Sequence, residues 1–180
     1  MSAAQQSPFQ LLQGLDSRCR AQAPSLPQQV VVRDTWDGVG FRIGELPLVA
    51  PMKQVKEILT QVSLCRLPGA KSWVMGVANV RGTLLPVLDL RGLLQGQASR
   101  SGRLSRVLVL NHHGIQAGLL VDEVLGMRHF PAETFDTGLS GFPPHLHKYL
   151  HGTYPQDESR WAVIDLHRLV DMPEFADVAA

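Results

Sequence analysis

Cysteine is scarce in this chain, which contains only Cys19 and Cys65. Two distant thiols provide neither a disulfide framework nor the paired cysteines of a zinc site. Cys65 lies in an apolar stretch, so we expect it to be a small core residue rather than a nucleophile.

Concentrated charge and long apolar runs are also missing. The formal net charge is +1, and the lysines and arginines form no basic stripe, which argues against nucleic acid as the main partner. No apolar run approaches the ~18 residues of a membrane-spanning helix, and the N-terminus has no signal-peptide pattern. Hydrophobic residues still make up 44% of the 180 residues, enough for a core. We therefore expect a folded, cytoplasmic protein.

Catalytic signatures are absent as well, because the sequence has no nucleophile elbow, phosphate-binding loop or dinucleotide fingerprint. One histidine group, His145, His147 and His151, has the spacing H-x-H-x-x-x-H. Zinc needs three or four converging ligands, and no glutamate or cysteine accompanies these histidines at metal-site spacing. We interpret them as exposed loop residues and predict no catalytic residue, metal or cofactor. A metal-dependent enzyme using these histidines is the alternative.

The N-terminal region predicts a helix over Ser7 to Arg20. Ser7 can cap it, Pro8 fits its first turn, and Phe9, Leu12 and Leu15 form an apolar stripe. The prolines of Ala21–Gln29 predict a linker after it.

From Gly38 onward, short apolar segments alternate with turn residues, a pattern typical of β-hairpins. Three hairpins and a last strand are predicted: Val39–Ile43 with Leu46–Pro51, Trp73–Val80 with Thr83–Leu90, Arg106–Leu110 with Ile115–Val121, and Arg160–Ile164. Prolines break the segment Met127–Tyr154, which we interpret as a long connection.

An internal repeat organises these elements. Val55–Leu59 (VKEIL) follows the first hairpin, and Val121–Leu125 (VDEVL) follows the third. Later, Asp89 and Asp165 occupy matching positions in VLDL and VIDL, where each can cap a short helical turn. Two similar β units in one chain predict two small barrels packed together.

The segment Gly76–Leu90 (GVANVRGTLLPVLDL) is mostly apolar but carries Arg81 at its turn. A guanidinium fixed beside apolar surface can bind a carboxylate or carbonyl groups of a partner. Pro86 lacks an N–H, so its strand cannot be paired normally on both sides there, which indicates an edge or a bulge. This combination favours protein docking over small-molecule chemistry.

The same segment resembles the signature of CheW-like domains. Further similarities follow in family order from about Gly38 to Val170: Pro51-Met52, Leu67-Pro68, Gly118–Asp122 and Val163–Leu166. The proline-containing N-terminal helix, Trp36 and Trp73 resemble the CheW-like proteins of type IV pilus twitching-motility systems.

The resemblance implies a mainly β fold of two packed five-stranded SH3-like barrels around a shared core, with short helices and an N-terminal helix. It implies an N-terminal helix and linker at 1–37, a CheW-like domain at 38–172 and a C-terminal tail at 173–180. The residues it implies for partner binding are Val55, Glu57, Ile58, Asn79, Arg81, Gly82 and Leu84.

The function implied by the resemblance is that of a non-enzymatic adaptor in the cytoplasm, recruited to membrane-associated receptor arrays. Its partners would be the cytoplasmic tip of a methyl-accepting chemoreceptor and the regulatory domain of a CheA-type histidine kinase, with no nucleic acid and no membrane insertion. Control of twitching motility is the expected output. Alternatives are an adaptor for swimming chemotaxis or a CheW-like module of a larger signalling protein.

Overall fold

The computed structural model describes residues 8–22, 34–60, 62–99, 102–156 and 158–176. The chain divides into two compact units, residues 1–33 and 34–180. In the first unit, helix α1 runs over Pro8–Gln22, which confirms the predicted helix and extends it at its C-terminal end. The predicted cap Ser7 and the linker beyond Gln22 lie outside the described residues.

Two β-sheets form most of the second unit. The first has the strand order β10-β11-β2-β1-β9, with β1 at Thr35–Ile43, β2 at Leu46–Pro51, β9 at Glu123–Pro131, β10 at Leu150–Gln156 and β11 at Ser159–Ile164. The second has the order β3-β7-β8-β6-β5-β4, with β3 at Glu57–Leu59, β4 at Leu64–Cys65, β5 at Val74–Val80, β6 at Thr83–Asp89, β7 at Arg106–His112 and β8 at Ile115–Val121.

Short helices connect the strands: α2 at Leu90–Gln95, α3 at Leu166–Val170, α4 at Pro173–Ala176, and 3-10 helices at Met52–Gln54, Ala132–Thr134 and Pro144–Tyr149. None of the helices in the described ranges is long and apolar enough to span a bilayer.

The three predicted hairpins and the last strand are confirmed, and the repeat acquires a structural meaning. Strand β3 leaves its own hairpin β1–β2 and pairs with β7, so that Glu57 lies opposite Val109. Strand β9 likewise leaves β7–β8 and pairs with β1, so that Glu123 lies opposite Arg42. Each sheet therefore contains strands from both repeats. This exchange makes either repeat incomplete without the other.

Three apolar clusters fill the second unit. The largest takes buried residues from both sheets, including Phe41 and Leu48 of the first and Leu108 and Leu119 of the second. A smaller cluster around Val87 lies on the opposite face of the second sheet. An aromatic cluster of Phe130, Tyr154, Trp161 and their neighbours lies on the opposite face of the first. The largest cluster is the predicted shared core.

The barrel prediction requires correction, because one sheet has five strands and the other six. In the first sheet, an isolated bridge between Asp136 and Thr153 links the segment after β9 to β10, with no longer ladder there. In the second, β3 and β4 are the two edges and pair with β7 and β5. Among the described residues no ladder joins these two edge strands, so the second sheet is not closed into a barrel.

The prediction of a long connection over Met127–Tyr154 was wrong, because this segment contributes to β9 and β10. Two features hid the strands. Gly126 has a φ of 86° opposite a register shift at Gly40/Phe41, which interrupts the alternation of β9. Pro155 lies in β10, the edge strand of its sheet, where proline is tolerated.

The expectation for Cys65 was also wrong, because it is exposed. It lies in the two-residue edge strand β4, where its backbone pairs with Val77. The apolar neighbours that suggested burial do not enclose it, since one edge of this strand has no partner strand.

Candidate functional site

The site predicted from the sequence centres on the tight turn between β5 and β6. Arg81 has a φ of 52° and Gly82 a φ of 84°. Two consecutive positive φ angles define the type I′ turn that suits the twist of a two-residue hairpin. The Asn79 side chain stabilises it by accepting a hydrogen bond of 2.9 Å from the backbone N–H of Gly82. The turn therefore holds the start of the Arg81 side chain in a defined position.

Arg81 reaches across the sheet to a strand that is not its neighbour. Its Nη2 donates to Oε1 of Glu57 in β3 at 2.7 Å. Strands β7 and β8 separate β3 from β6 in the sheet order. This contact is possible because the sheet curls, and it joins two segments that the sequence analysis selected separately.

The strands that carry this ion pair also expose two apolar side chains, on their opposite face. Ala78 and Leu85 pair across β5 and β6 and lie in the smaller core cluster. The next pair along, Asn79 and Leu84, faces the opposite side because side chains alternate along a strand. Leu84 is 72% exposed there. In β3, Leu59 packs against the same cluster, and its neighbour Ile58 is 40% exposed.

We name Glu57, Ile58, Asn79, Arg81, Gly82 and Leu84 the β3–β6 rim. Val55, the seventh predicted residue, lies apart from it, since it is half-buried and packs against the large core cluster. Beneath the ion pair is a cavity of about 140 Å³. Its lining adds side chains that the sequence analysis did not select, namely Lys56, Val80, Thr83, Leu85, Val109 and Gln116. Apart from Lys56, which precedes β3, they come from four strands, and no local pattern links them.

The chemistry of the rim suits protein docking. The Arg81 side chain is 80% exposed, and an ion pair this exposed stabilises a fold by only about 0–1 kcal/mol. Its guanidinium can still form planar, charge-assisted hydrogen bonds to a partner. Exposed Leu84 and Ile58 provide apolar area that a partner can bury. Arginine and apolar side chains are both frequent at the centres of interfaces.

Comparison with known families identifies the fold that carries this rim. The sequence matches the family described as the CheW-like domain over residues 37–174. The chain belongs to the CheW-like family.

Individual relatives agree with this assignment. The CheW-like chain is 45% identical to Protein PilI of Pseudomonas aeruginosa over 174 residues, covering 97% of each chain. It is 41% identical to Protein FrzA of Myxococcus xanthus over 91 residues, covering 51% of this chain and 57% of that one. Its fold is similar to the scaffolding protein TtCheW from Thermoanaerobacter tengcongensis, with a TM-score of 0.67, 23% identity, and coverage of 78% of this chain and 95% of that chain.

The histidines considered as metal ligands lie apart in this CheW-like protein. His147 hydrogen bonds through Nε2 to the carbonyl oxygen of Phe142 at 2.9 Å. His151 bonds through Nε2 to Oδ2 of Asp165 at 2.9 Å. His145 is exposed on a 3-10 helix. Within the described ranges, these three side chains form no cluster of metal-ligand geometry.

The predicted caps at Asp89 and Asp165 are confirmed. Asp89 is buried and accepts from the backbone N–H groups of Arg91 and Gly92. Asp165 accepts from those of His167 and Arg168. These two aspartates begin α2 and α3 in the same way.

Asp165 also has a perturbed acidity. Its burial alone raises its pKa, but hydrogen bonds from His151 and Gln54 and from the backbone of Arg168 outweigh this, so the pKa is lowered. Burial lowers the pKa of His167, and the positive charge of a protonated His112 lowers it further. Burial raises the pKa of Tyr154. None of these three groups belongs to the β3–β6 rim.

Proposed function

We propose that this CheW-like protein is a non-enzymatic adaptor that couples methyl-accepting chemoreceptors to a CheA-type histidine kinase. The observation that carries the proposal is the β3–β6 rim, where strands β3 and β6 and the turn before β6 carry the Arg81–Glu57 pair together with exposed Leu84 and Ile58. These residues belong to the two segments that CheW-like proteins use for partner binding. A rigid body with two docking faces raises the effective concentration of one partner near the other.

The partners follow from the family. One face binds the regulatory domain of the kinase, and the other binds the cytoplasmic tip of the receptor in the groove between the two halves of the fold. Val55 contributes from beneath the surface, because it supports the strand that carries Glu57. A receptor signal reaches the kinase when it changes the relative stability of the kinase states in the array.

The proposed output is control of type IV pilus twitching motility. Its support is the 45% identity to Protein PilI over 97% of both chains. The similarity to the Helicobacter pylori protein named Chemotaxis protein CheW is lower, at 30% over 86 residues. This difference favours the pilus system over swimming chemotaxis.

The finer organisation belongs to the same proposal. Residues 38–172 act as two intertwined barrel-like halves, preceded by an N-terminal helix and linker and extended by the start of β1 at Thr35 and by α4 at Pro173–Ala176. The protein resides in the cytoplasm and is recruited to receptor arrays at the membrane through its partners.

Isothermal titration against the kinase regulatory domain, and separately against the receptor's cytoplasmic hairpin, tests the proposal. We expect saturable binding to both. The Arg81→Ala substitution removes the only charged group of the turn Arg81-Gly82 and should weaken binding to at least one partner by about 2 kcal/mol, or roughly 30-fold.

Arg160→Ala is the matched control, because Arg160 is also an exposed arginine paired with a carboxylate, Asp136 at 2.5 Å, but on the other sheet. Arg81→Gly is a second variant, since glycine adopts positive φ freely and preserves the turn. Unchanged dissociation constants in folded Arg81 variants would refute the role of the rim. Absence of binding to either partner by the folded wild type would refute the adaptor function.

A further inference from the structure

A second group of side chains lies where the β7–β8 hairpin meets α3. His112 ends β7, His113 follows in the turn, and Asp171 directly follows α3. Nε2 of His112 lies 3.3 Å from each carboxylate oxygen of Asp171. The potential ligand atoms of the three residues all lie within 4.8 Å of one another. This geometry brings two imidazoles and one carboxylate together from segments far apart in the chain.

The backbone turns the two adjacent histidines to one side. Neighbours on an extended strand point in opposite directions, but His113 has a φ of 50°. Its ring centroid therefore lies 3.9 Å from that of His112. This positive φ belongs to the two-residue turn His113-Gly114, whose second residue has a φ of 80°. The turn geometry therefore brings the two potential ligands together.

A third imidazole supports His112. The ring of His167 stacks on that of His112 at 4.0 Å with an interplanar angle of 14°. Its Nε2 is buried and has no hydrogen-bond partner in the described structure. Stacking of this kind fixes the plane of His112, and a ligand ring held by its surroundings binds a metal more tightly.

We propose that His112, His113 and Asp171 bind a divalent transition-metal ion of the Zn²⁺ class, with water completing the coordination. Two imidazole nitrogens and a carboxylate oxygen are ligands that zinc accepts. Zn–N and Zn–O distances of about 2.0–2.1 Å place tetrahedral ligand atoms about 3.3 Å apart, which the His112–Asp171 separation of 3.3 Å matches. Mg²⁺ and Ca²⁺ prefer all-oxygen sites.

Binding would have a structural consequence. Strand β7 belongs to the second sheet, whereas α3 follows β11 of the first. A metal bound between them would link the end of β7 to the residue that follows α3. Because the bound ion stabilises the folded state over the unfolded state, it should raise the melting temperature with increasing concentration.

The test is calorimetric titration of ZnCl₂ into tag-free protein, with thermal unfolding measured with and without zinc and after adding chelator. We expect saturation near one zinc per chain, a melting temperature that rises with zinc, and reversal by chelator. His113→Gly suits the positive φ and removes one ligand, and Asp171→Asn removes the carboxylate charge. Each should weaken zinc binding at least about tenfold.

His145→Ala is the matched control, since it removes an exposed histidine outside the group and should leave zinc binding unchanged. Mg²⁺ should bind no variant measurably. Absence of saturable zinc binding by the wild type would overturn the proposal. So would equal zinc affinity in wild type, His113→Gly and Asp171→Asn, because the ion would then be held elsewhere. Should His113→Gly fail to fold by circular dichroism, Asp171→Asn decides the question.

Discussion

Asp89 provides the most detailed prediction about stability. Its carboxylate is almost completely buried and accepts four hydrogen bonds at the start of α2. Oδ1 accepts from the backbone of Arg91 at 3.0 Å, from that of Gly92 at 3.1 Å and from Oγ of Ser99 at 2.6 Å. Oδ2 accepts from the backbone N–H of Ser99 at 2.6 Å. The residue both caps the helix and anchors the loop that follows it.

The hydrogen bonds to each carboxylate oxygen allow the loss of stability to be predicted for individual substitutions. Asp89→Ala removes all four acceptor contacts, and at about 1 kcal/mol each the free energy of unfolding should fall by about 3–5 kcal/mol. Asp89→Asn can keep the three bonds to Oδ1 but places an NH₂ group against the Ser99 N–H. Its cost should be smaller, about 1–2 kcal/mol. Ser99→Ala removes a single hydroxyl and should cost about 1 kcal/mol.

Urea unfolding followed by circular dichroism measures these differences through the transition midpoint at constant slope. Asp89→Ala should be the most destabilising variant, and Asp89→Asn should destabilise at least as much as Ser99→Ala. A loss below about 0.5 kcal/mol for Asp89→Ala, as expected of an ordinary surface substitution, would refute the reasoning.

Three further predictions concern stability and binding. Because the pKa of Asp165 is lowered, its contribution to stability is present above the unfolded-state pKa near 3.8 and is lost as the pH falls through the lower folded-state value. The difference in urea midpoint between wild type and Asp165→Asn should therefore shrink from pH 7 towards pH 3. A difference that grew over this range would contradict the account. Gly76→Ala should lower the free energy of unfolding by more than about 3 kcal/mol, because Gly76 has a φ of 133° and a Cβ there would overlap the carbonyl oxygen of Cys65. A urea midpoint close to that of the wild type would contradict this close approach of β4 and β5. Leu84→Ser should change the free energy of unfolding by less than about 0.5 kcal/mol, because Leu84 is exposed. In calorimetry it should weaken partner binding by about 1.5 kcal/mol, or roughly tenfold, and unchanged binding would remove Leu84 from the interface.

The local features of the fold could be predicted from the sequence. The hairpin turns at Gly44-Glu45 and Arg81-Gly82 lie between alternating apolar strands, and turn chemistry acts over two residues. The third turn is shorter than the predicted Asn111–Gly114, because β7 extends to His112. The caps at Asp89 and Asp165 follow from the same short-range logic, because an aspartate can satisfy the first N–H groups of the helix that it begins.

The exchange of strands between the repeats could not be predicted in this way. Strand β3 spans three residues and pairs with β7 about fifty positions later, so its partner is selected by tertiary packing rather than by its own pattern. Strand β10 was not predicted because it contains Pro155, and proline normally argues against a strand. Cys65 was misjudged because apolar neighbours predict burial only when the sheet covers both sides.

The candidate site shows the same division. Its members were selected by resemblance to a family, and they lie in two separate segments of the sequence. Their arrangement depends on the curl of the second sheet, which brings Arg81 to within 2.7 Å of Glu57. The His112–Asp171 group depends on the position of α3, which no local sequence pattern predicts. Contacts between distant segments require the fold itself.

The most direct test of the adaptor function is a bridging measurement. Vesicles that display the receptor's cytoplasmic hairpin are mixed with the CheA-type kinase and sedimented, with wild-type protein, Arg81→Ala, Arg160→Ala or no added protein. We predict that the kinase sediments with the vesicles when the wild type or Arg160→Ala is present and remains in the supernatant with Arg81→Ala or without added protein. Kinase that stays in the supernatant with the folded wild type would contradict the account.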